Sequence, residues 1–244
     1  MIRIGTVELH PSLIAFDKDG TLVDLHSQWV PWTMHLLGRL REQMPGDHAL
    51  VEHVAASLGF DMREKRILPD SPLATASRRE LFVVIATALY QRGIPWITAW
   101  DVSHTLEEGF EERQWVRPRG DVRGLLERLR RKGIRTAVVT TDRRANTRAV
   151  LASLGIEELV DCLVCADDGF AIKPAPDMLA EAMRCAGVRP EETVMVGDTI
   201  YDMLMAERAG VRARIGIVNG GGSEEMLRRY TMAVIRSLDE IQVV

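Results

Sequence analysis

Apolar and polar positions follow two rhythms along this chain. Leu13-Ile14-Ala15-Phe16 is an unbroken apolar run, as suits a strand buried on both faces, and Asp17 and Asp19 follow it directly. Gly20 then lets the backbone leave the strand sharply. From about residue 25 the rhythm becomes helical, and four segments are predicted with no convincing strand. The first, Gln28 to Gln43, sets Trp29, Trp32, Leu36, Leu37 and Leu40 roughly on one side. The second, Asp47 to Leu58, has an N-cap acid and stops at Gly59. The third opens on Ser77-Arg78-Arg79-Glu80, a capping-box pattern, and ends near Gly93. The fourth runs from Ile97 to Arg113.

After Val116 strands and helices alternate. Helices are predicted at Asp121–Lys132, Arg144–Leu154, Pro176–Ala186 and Thr199–Ala209. Strands are predicted at 135–140, 162–165, 193–197 and 213–218, with a short one near 233–235. Asn219-Gly220-Gly221-Gly222 reads as a flexible surface loop. This alternation implies an α/β fold: a Rossmann-like, doubly wound parallel sheet with an inserted all-α domain. The core is expected at residues 1–24 and 115–244, and the helical insert at 25–114.

Composition narrows the field. The chain has 244 residues, 46% apolar and 27% charged, with a formal net charge of -4. That balance argues against charge-driven nucleic-acid binding. The longest apolar run, Leu81 to Tyr90, is too short to span a membrane. Without a signal-peptide pattern at Met1–Gly5, a cytoplasmic protein is expected. Three cysteines imply no disulfide framework, and Cys162 and Cys165 read as two buried thiols on a strand.

A parallel sheet brings its C-terminal strand ends to one edge, where ligands bind. Thr140-Thr141-Asp142, Lys173 and Gly197-Asp198-Thr199-Ile200-Tyr201-Asp202 would converge there with Asp17 and Asp19. Carboxylates such as Asp17 and Asp198 suit Mg²⁺ beside a phosphate. A carboxylate can also attack phosphorus, while a hydroxyl and an ammonium hold the transferring oxygens. A second carboxylate can protonate the leaving oxygen and then activate water. Taken alone, Lys173 would be a solvated lysine, Asp202 a helix-start acid, and Asp142 and Asp168 solvated or capping acids. Arg63, Lys65, Arg66, Arg78 and Arg79 would form a solvated basic face.

Together these motifs resemble the haloacid dehalogenase-like hydrolase superfamily, in its phosphoglycolate-phosphatase-like branch. Asp17-Lys18-Asp19-Gly20-Thr21-Leu22-Val23-Asp24 matches the first motif, Thr140 the second, Lys173 the third, and Gly197-Asp198-Thr199-x-x-Asp202 the fourth. The insert matches the family's cap by position and helix content. The resemblance implies an aspartyl-phosphate on Asp17 and acid/base work by Asp19. Thr140, Thr141 and Lys173 would bind phosphate. Mg²⁺ would sit on Asp17, Asp198 and the Asp19 carbonyl, with Asp202 supporting it. Thr141 stands where this branch often has Asn. The implied protein is a monomeric or homodimeric Mg²⁺-dependent phosphatase of a small phosphorylated metabolite, with no nucleic-acid or membrane partner. A sugar-phosphate mutase and a non-catalytic regulatory protein on the same scaffold are the alternatives. The insert's Pro-punctuated loop, 67–75, is its best candidate for reading the substrate.

Overall fold

The computed structural model describes residues 1–111 and 114–244. It divides into two compact units, Met1–Asp24 with Val116–Val244, and Leu25–Trp115. The chain opens with a hairpin absent from the sequence expectations, β1 (Ile2–Ile4) and β2 (Val7–Leu9). Each strand is three residues long, too short to display a period-2 pattern. The apolar run forms β3 (Leu13–Phe16), fully buried as expected.

The inserted unit begins with α1 (Leu25–Gln43), three residues earlier than predicted, and α2 (His48–Leu58). Asp47 caps α2 by accepting from Leu50 N at 2.9 Å, and Gly59 ends it in the left-handed region. A ribbon absent from the expected strand-free insert follows, β4 (Phe60–Asp61) paired with β5 (Arg66–Ile67). Its turn is set by Asp61 Oδ1, which accepts from Arg63 N and Glu64 N at 3.0 Å. The segment predicted as a loop then coils into a short helix, α3 (Pro72–Thr75). In α4 (Arg78–Gln91) the Ser77–Glu80 capping box forms as expected. The fourth helix is shorter than predicted, α5 (Trp96–Thr105), and its expected end at Arg113 lies outside the described residues. Trp32, Leu36 and Leu40 of α1 pack with Leu50 and Val54 of α2 and Leu81, Ile85 and Leu89 of α4. Burying each such aliphatic side chain stabilises the unit by about 1.5–3 kcal/mol. Trp96, by contrast, stays exposed.

The rest of the chain gives α6 (Val122–Arg131), β6 (Arg135–Val139), α7 (Arg144–Ser153), β7 (Cys162–Val164), α8 (Asp177–Ala186), β8 (Thr193–Gly197), α9 (Ile200–Arg208), β9 (Ala213–Ile217), α10 (Glu224–Tyr230), β10 (Ala233–Ile235) and β11 (Gln242–Val243). The short helix α10 and the strand β11 were not expected. A six-stranded sheet runs β10-β9-β8-β3-β6-β7, with every pairing parallel, and β11-β1-β2 forms a small antiparallel sheet.

Alternation along β3 decides which face each residue covers. Ile14 and Phe16 pack with Leu125, Leu126 and Leu129 of α6. Leu13 and Ala15 pack with Met178 and Leu179 of α8 and Met205 and Ala206 of α9. Helices therefore cover both faces, the Rossmann-like α/β architecture that the alternation implied.

One cysteine expectation is corrected. Cys162, at the start of β7, forms a disulfide with Cys185 near the end of α8, and only Cys165 is a free, buried thiol. The Cys162–Cys165 spacing drew attention to the wrong pair. The partner, 23 residues away, is brought close by the β7–α8 connection folding back on itself.

Candidate active site

The register of the sheet places the site. Phe16 of β3 lies opposite Val138 of β6 and Val196 of β8. Asp17, Thr140 and Asp198 therefore emerge on one edge, at the point where successive strands go to opposite sides of β3. Asp17 N donates to Val196 O at 2.9 Å, so strand pairing fixes the backbone of this residue too.

Lys173, from the loop between β7 and α8, joins the edge. Its Nζ donates to Asp17 Oδ1 at 2.5 Å and to Asp202 Oδ1 at 2.6 Å. Its side chain is only 5% exposed. Asp202 is the third residue of α9, and its Oδ2 accepts from Thr199 N at 3.1 Å and Thr199 Oγ1 at 2.8 Å. Asp202 thus both caps a helix and holds the lysine.

Asp198 is almost fully buried and held from several sides. Its Oδ2 accepts from Gly221 N at 2.5 Å, its carbonyl accepts from Gly222 N at 2.9 Å, and Thr21 Oγ1 donates to Oδ1 at 3.5 Å. The glycine run 219–222 is therefore no flexible surface loop: Gly220, Gly221 and Gly222 are buried around this carboxylate. A glycine run signals freedom from Cβ atoms, and here that freedom lets backbone approach an anion. A Cβ on Gly220 would lie 2.3 Å from Asp198 Oδ2, and one on Gly20 would lie 2.0 Å from it.

The electrostatics follow from this packing. Burial pushes the Asp17 carboxyl up to about 7; Lys173 opposes that, while Asp202 and Asp19 add to it. Burial likewise raises Asp198 well above the ordinary carboxylate range, with Asp17 and Asp202 adding to it. Burial works to lower Lys173, but Asp17 and Asp202 outweigh it and hold the ammonium above its ordinary value.

Thr140 is buried at the end of β6, its Oγ1 accepting from Asp142 N at 3.2 Å, with the half-buried Thr141 next to it. Asp19 is paired with Lys18, whose Nζ lies 2.7 Å from Asp19 Oδ1. Asp168 caps Cys165 N at 2.7 Å and pairs with Arg144 at 2.6 Å, in line with a capping role. Asp142 does more than cap or meet solvent, since Lys18 Nζ lies 3.1 Å from its Oδ2.

Lys18, the glycine run and Arg119 were not singled out as site residues from sequence. Arg119 Nη1 donates to Gly20 O, and its Nη2 donates to Val218 O at 2.6 Å, joining the turn after Asp19 to the end of β9. The linkers flanking the insert pair with each other beside it, Asp24 N donating to Arg117 O at 2.8 Å and Arg119 N to Leu22 O at 2.9 Å. A long-range arginine tie leaves no local sequence signal. A lysine set between two aspartates just past an apolar strand does leave one.

Comparison with known proteins adds the lineage. The family model described as haloacid dehalogenase-like hydrolase matches residues 11–210. A protein of Caldanaerobacter subterraneus subsp. tengcongensis, described provisionally as pyrophosphatase PpaX, is 35% identical over 202 residues, 82% of this chain and 79% of that one. A solved structure from Haemophilus somnus 129PT, described provisionally as a phosphoglycolate phosphatase, has a TM-score of 0.69 at 19% identity over 96% of each chain. Another from Thermotoga maritima, described provisionally as a β-phosphoglucomutase, has a TM-score of 0.65 at 20% identity, covering 91% of this chain and 93% of that one. At those identities the two structures speak for the fold alone.

Proposed function

The chain belongs to the haloacid dehalogenase-like hydrolase family, and from that premise we propose that it is a Mg²⁺-dependent phosphatase working through an aspartyl-phosphate on Asp17. The observation that carries the reading is the buried contact of Asp17 with Lys173, next to Asp198 and Asp202, at the C-terminal edge of the sheet.

The residues suit a hard divalent cation. Carboxylate oxygens of Asp17, Asp198 and Asp202 lie within 4.8 Å of one another, all buried. Lys173 brings one positive charge to these three carboxylates, and burial raises both Asp17 and Asp198. Excess negative charge among oxygen donors away from water is what Mg²⁺ offsets. By the family's motifs Asp17, Asp198 and the Asp19 carbonyl would hold the ion, and Asp202, whose two oxygens hold Lys173 and the start of α9, would support it. Bound there, Mg²⁺ would supply charge neutralisation for the phosphoryl oxygens.

The protein's own groups account for the steps. A carboxylate oxygen of Asp17 attacks phosphorus as the bond to the leaving oxygen breaks, and Asp19 gives that oxygen its proton. Water then attacks the phosphoenzyme and loses a proton to Asp19. The acyl-phosphate P–O bond breaks, returning the Asp17 carboxylate and releasing inorganic phosphate. Lys173 keeps Asp17 aligned and neutralises charge on the phosphoryl group, which Thr140 and Thr141 help to bind. By the same reading residues 25–114 would be the family's helical cap, with 1–24 and 115–244 as the catalytic core.

The substrate is a small phosphorylated metabolite such as a phosphoglycolate-like monoester. The 35% identity to a protein described provisionally as a pyrophosphatase favours inorganic pyrophosphate as a second candidate. Phosphate release from pyrophosphate, 2-phosphoglycolate and p-nitrophenyl phosphate, with Mg²⁺ and with chelator, tests the reading. Hydrolysis that needs Mg²⁺ and vanishes in Asp17→Asn supports it. No turnover of any of the three compounds, or more than about one per cent of activity left in Asp17→Asn, overturns it.

A further inference from the structure

Lys18 stands between the two site aspartates and is fully buried. Removing an ammonium from water costs several kcal/mol unless close partners compensate. A methionine would fill the same volume without that cost. The ammonium must therefore answer to its neighbours, and two carboxylates meet it. Nζ donates to Asp19 Oδ1 at 2.7 Å and lies 3.1 Å from Asp142 Oδ2.

Asp142 is itself anchored. Asn146 Nδ2 donates to its Oδ2 at 2.6 Å, and Arg143 N donates to its Oδ1 at 2.7 Å. The backbone on the Lys18 side is equally fixed, because Leu22 N and Val23 N both donate to Lys18 O at 2.9 Å. A continuous path of polar contacts thus runs from Asn146 on α7 through Asp142 and Lys18 to Asp19.

We propose that Lys18 is a positioning residue for the acid/base: anchored by Asp142, its ammonium grips one oxygen of Asp19 and fixes how that carboxyl faces the leaving group. The inference rests on the proposed phosphatase reading. In the reaction, Asp19 transfers a proton to the leaving oxygen as the phosphorus–oxygen bond to it breaks. It later takes a proton from the water that attacks the phosphoenzyme. Both transfers need the carboxyl at hydrogen-bond distance and correctly aimed. Attack by Asp17 does not depend on that aim. Lys18 therefore bears on substrates according to how much their leaving oxygen needs a proton.

The experiment compares wild type with Lys18→Met on two substrates, in saturating Mg²⁺. One is an alkyl phosphate, whose alkoxide must be protonated to leave. The other is 2,4-dinitrophenyl phosphate, whose phenolate leaves unaided. kcat/KM reports the first phosphoryl transfer. It should fall about 100-fold or more for the alkyl ester, the scale of a lost general acid, and by a far smaller factor for the aryl ester. With the aryl ester, kcat should also fall and acid-quenched protein should carry more covalent phosphate, because water activation is slowed. Asp142→Asn keeps Lys18 and most of the packing and should show the same split, more weakly.

Equal losses on both esters in both variants, without extra phosphoenzyme, make Lys18 a structural tie and overturn the inference. If Lys18→Met does not fold, Asp142→Asn decides alone, a split supporting the proposal and its absence refuting it. If wild type turns over neither ester nor pyrophosphate, the phosphatase reading itself has failed, an outcome distinct from a lost split; if it turns over pyrophosphate alone, extra phosphoenzyme in Lys18→Met supports the inference and its absence refutes it.

Discussion

Adding one methyl group at Gly220 tests whether the glycine run truly serves the carboxylate it encloses. In Gly220→Ala the new Cβ would stand 2.3 Å from Asp198 Oδ2, 2.6 Å from its Cβ and 2.8 Å from its Cγ. Gly220 carries no left-handed φ, so the perturbation is steric alone. Ordinary carbon–oxygen contact needs the carboxylate or the loop to move by about 1 Å. Overpacking of that kind costs about 1–3 kcal/mol, or roughly 2–10 °C of melting temperature in a chain of this size. Mg²⁺ tolerates little distortion of its oxygen shell, and disturbing the supports of a ligand weakens metal binding by about 10–100-fold. A titration of phosphatase activity against Mg²⁺ should therefore show that much weaker activation, with part of kcat recovered at high Mg²⁺. The control is Gly38→Ala inside α1, where a Cβ meets nothing within 4 Å. That change should raise stability by about 0.5–1 kcal/mol and leave Mg²⁺ activation untouched. A Gly220→Ala enzyme with the wild-type Mg²⁺ profile would refute the role given to the loop.

Three further outcomes follow from the site and the core. Burial raises Asp17 from 3.8 to about 7 in the metal-free protein, so folding favours its protonated form; that stability is present below pH about 4 and is lost as pH rises through about 7. Mg²⁺ should therefore raise the melting temperature more at pH 8 than at pH 5, and an equal rise at both would contradict the charge argument. Unreduced, denatured protein should show one thiol to Ellman's reagent and three after reduction, given the Cys162–Cys185 bond; in the native state Cys165 should react slowly, since burial pushes its thiol up to about 11. Arg119→Met should weaken Mg²⁺ activation more than it alters the far-ultraviolet circular dichroism, because the guanidinium links the Gly20 turn to the strand end beside the glycine run.

What could be read from the chain in advance was whatever has a local cause. The unbroken run at Leu13–Phe16 and the cap residues Asp47 and Ser77 mark elements through chemistry within a few residues, and those elements form as expected. Elements too short to hold a period, such as β1, β2 and the β4–β5 ribbon, carry no such signal. The convergence of Asp17, Lys173, Asp198 and Asp202 was legible because a parallel sheet has only one C-terminal edge. Ties between distant segments were not. Cys185 lies far from Cys162 in sequence, and Arg119 far from Val218. The glycine run shows a subtler failure. Lack of side chains reads as a mark of mobility, although it equally permits a tight cradle, and only tertiary packing decides between the two.

The site is costly to the fold, and its supports show how the cost is contained. Asp17, Asp198 and Asp202 put three buried carboxylates against the one ammonium of Lys173. Like charges this close destabilise a metal-free core, so nothing about them serves folding by itself. Each is instead fixed by a different kind of structure. Strand pairing holds the backbone of Asp17, a helix cap holds Asp202, and a glycine cradle holds Asp198. Those supports are backbone donors or a helix terminus, which need no charged side chain of their own. The negative excess is thereby preserved instead of neutralised within the protein. An enzyme that must attract a divalent cation and bind a phosphoryl group through it has reason to keep that excess. That is the physical reason for reading this edge of the sheet as a catalytic centre and not as a buried salt-bridge network.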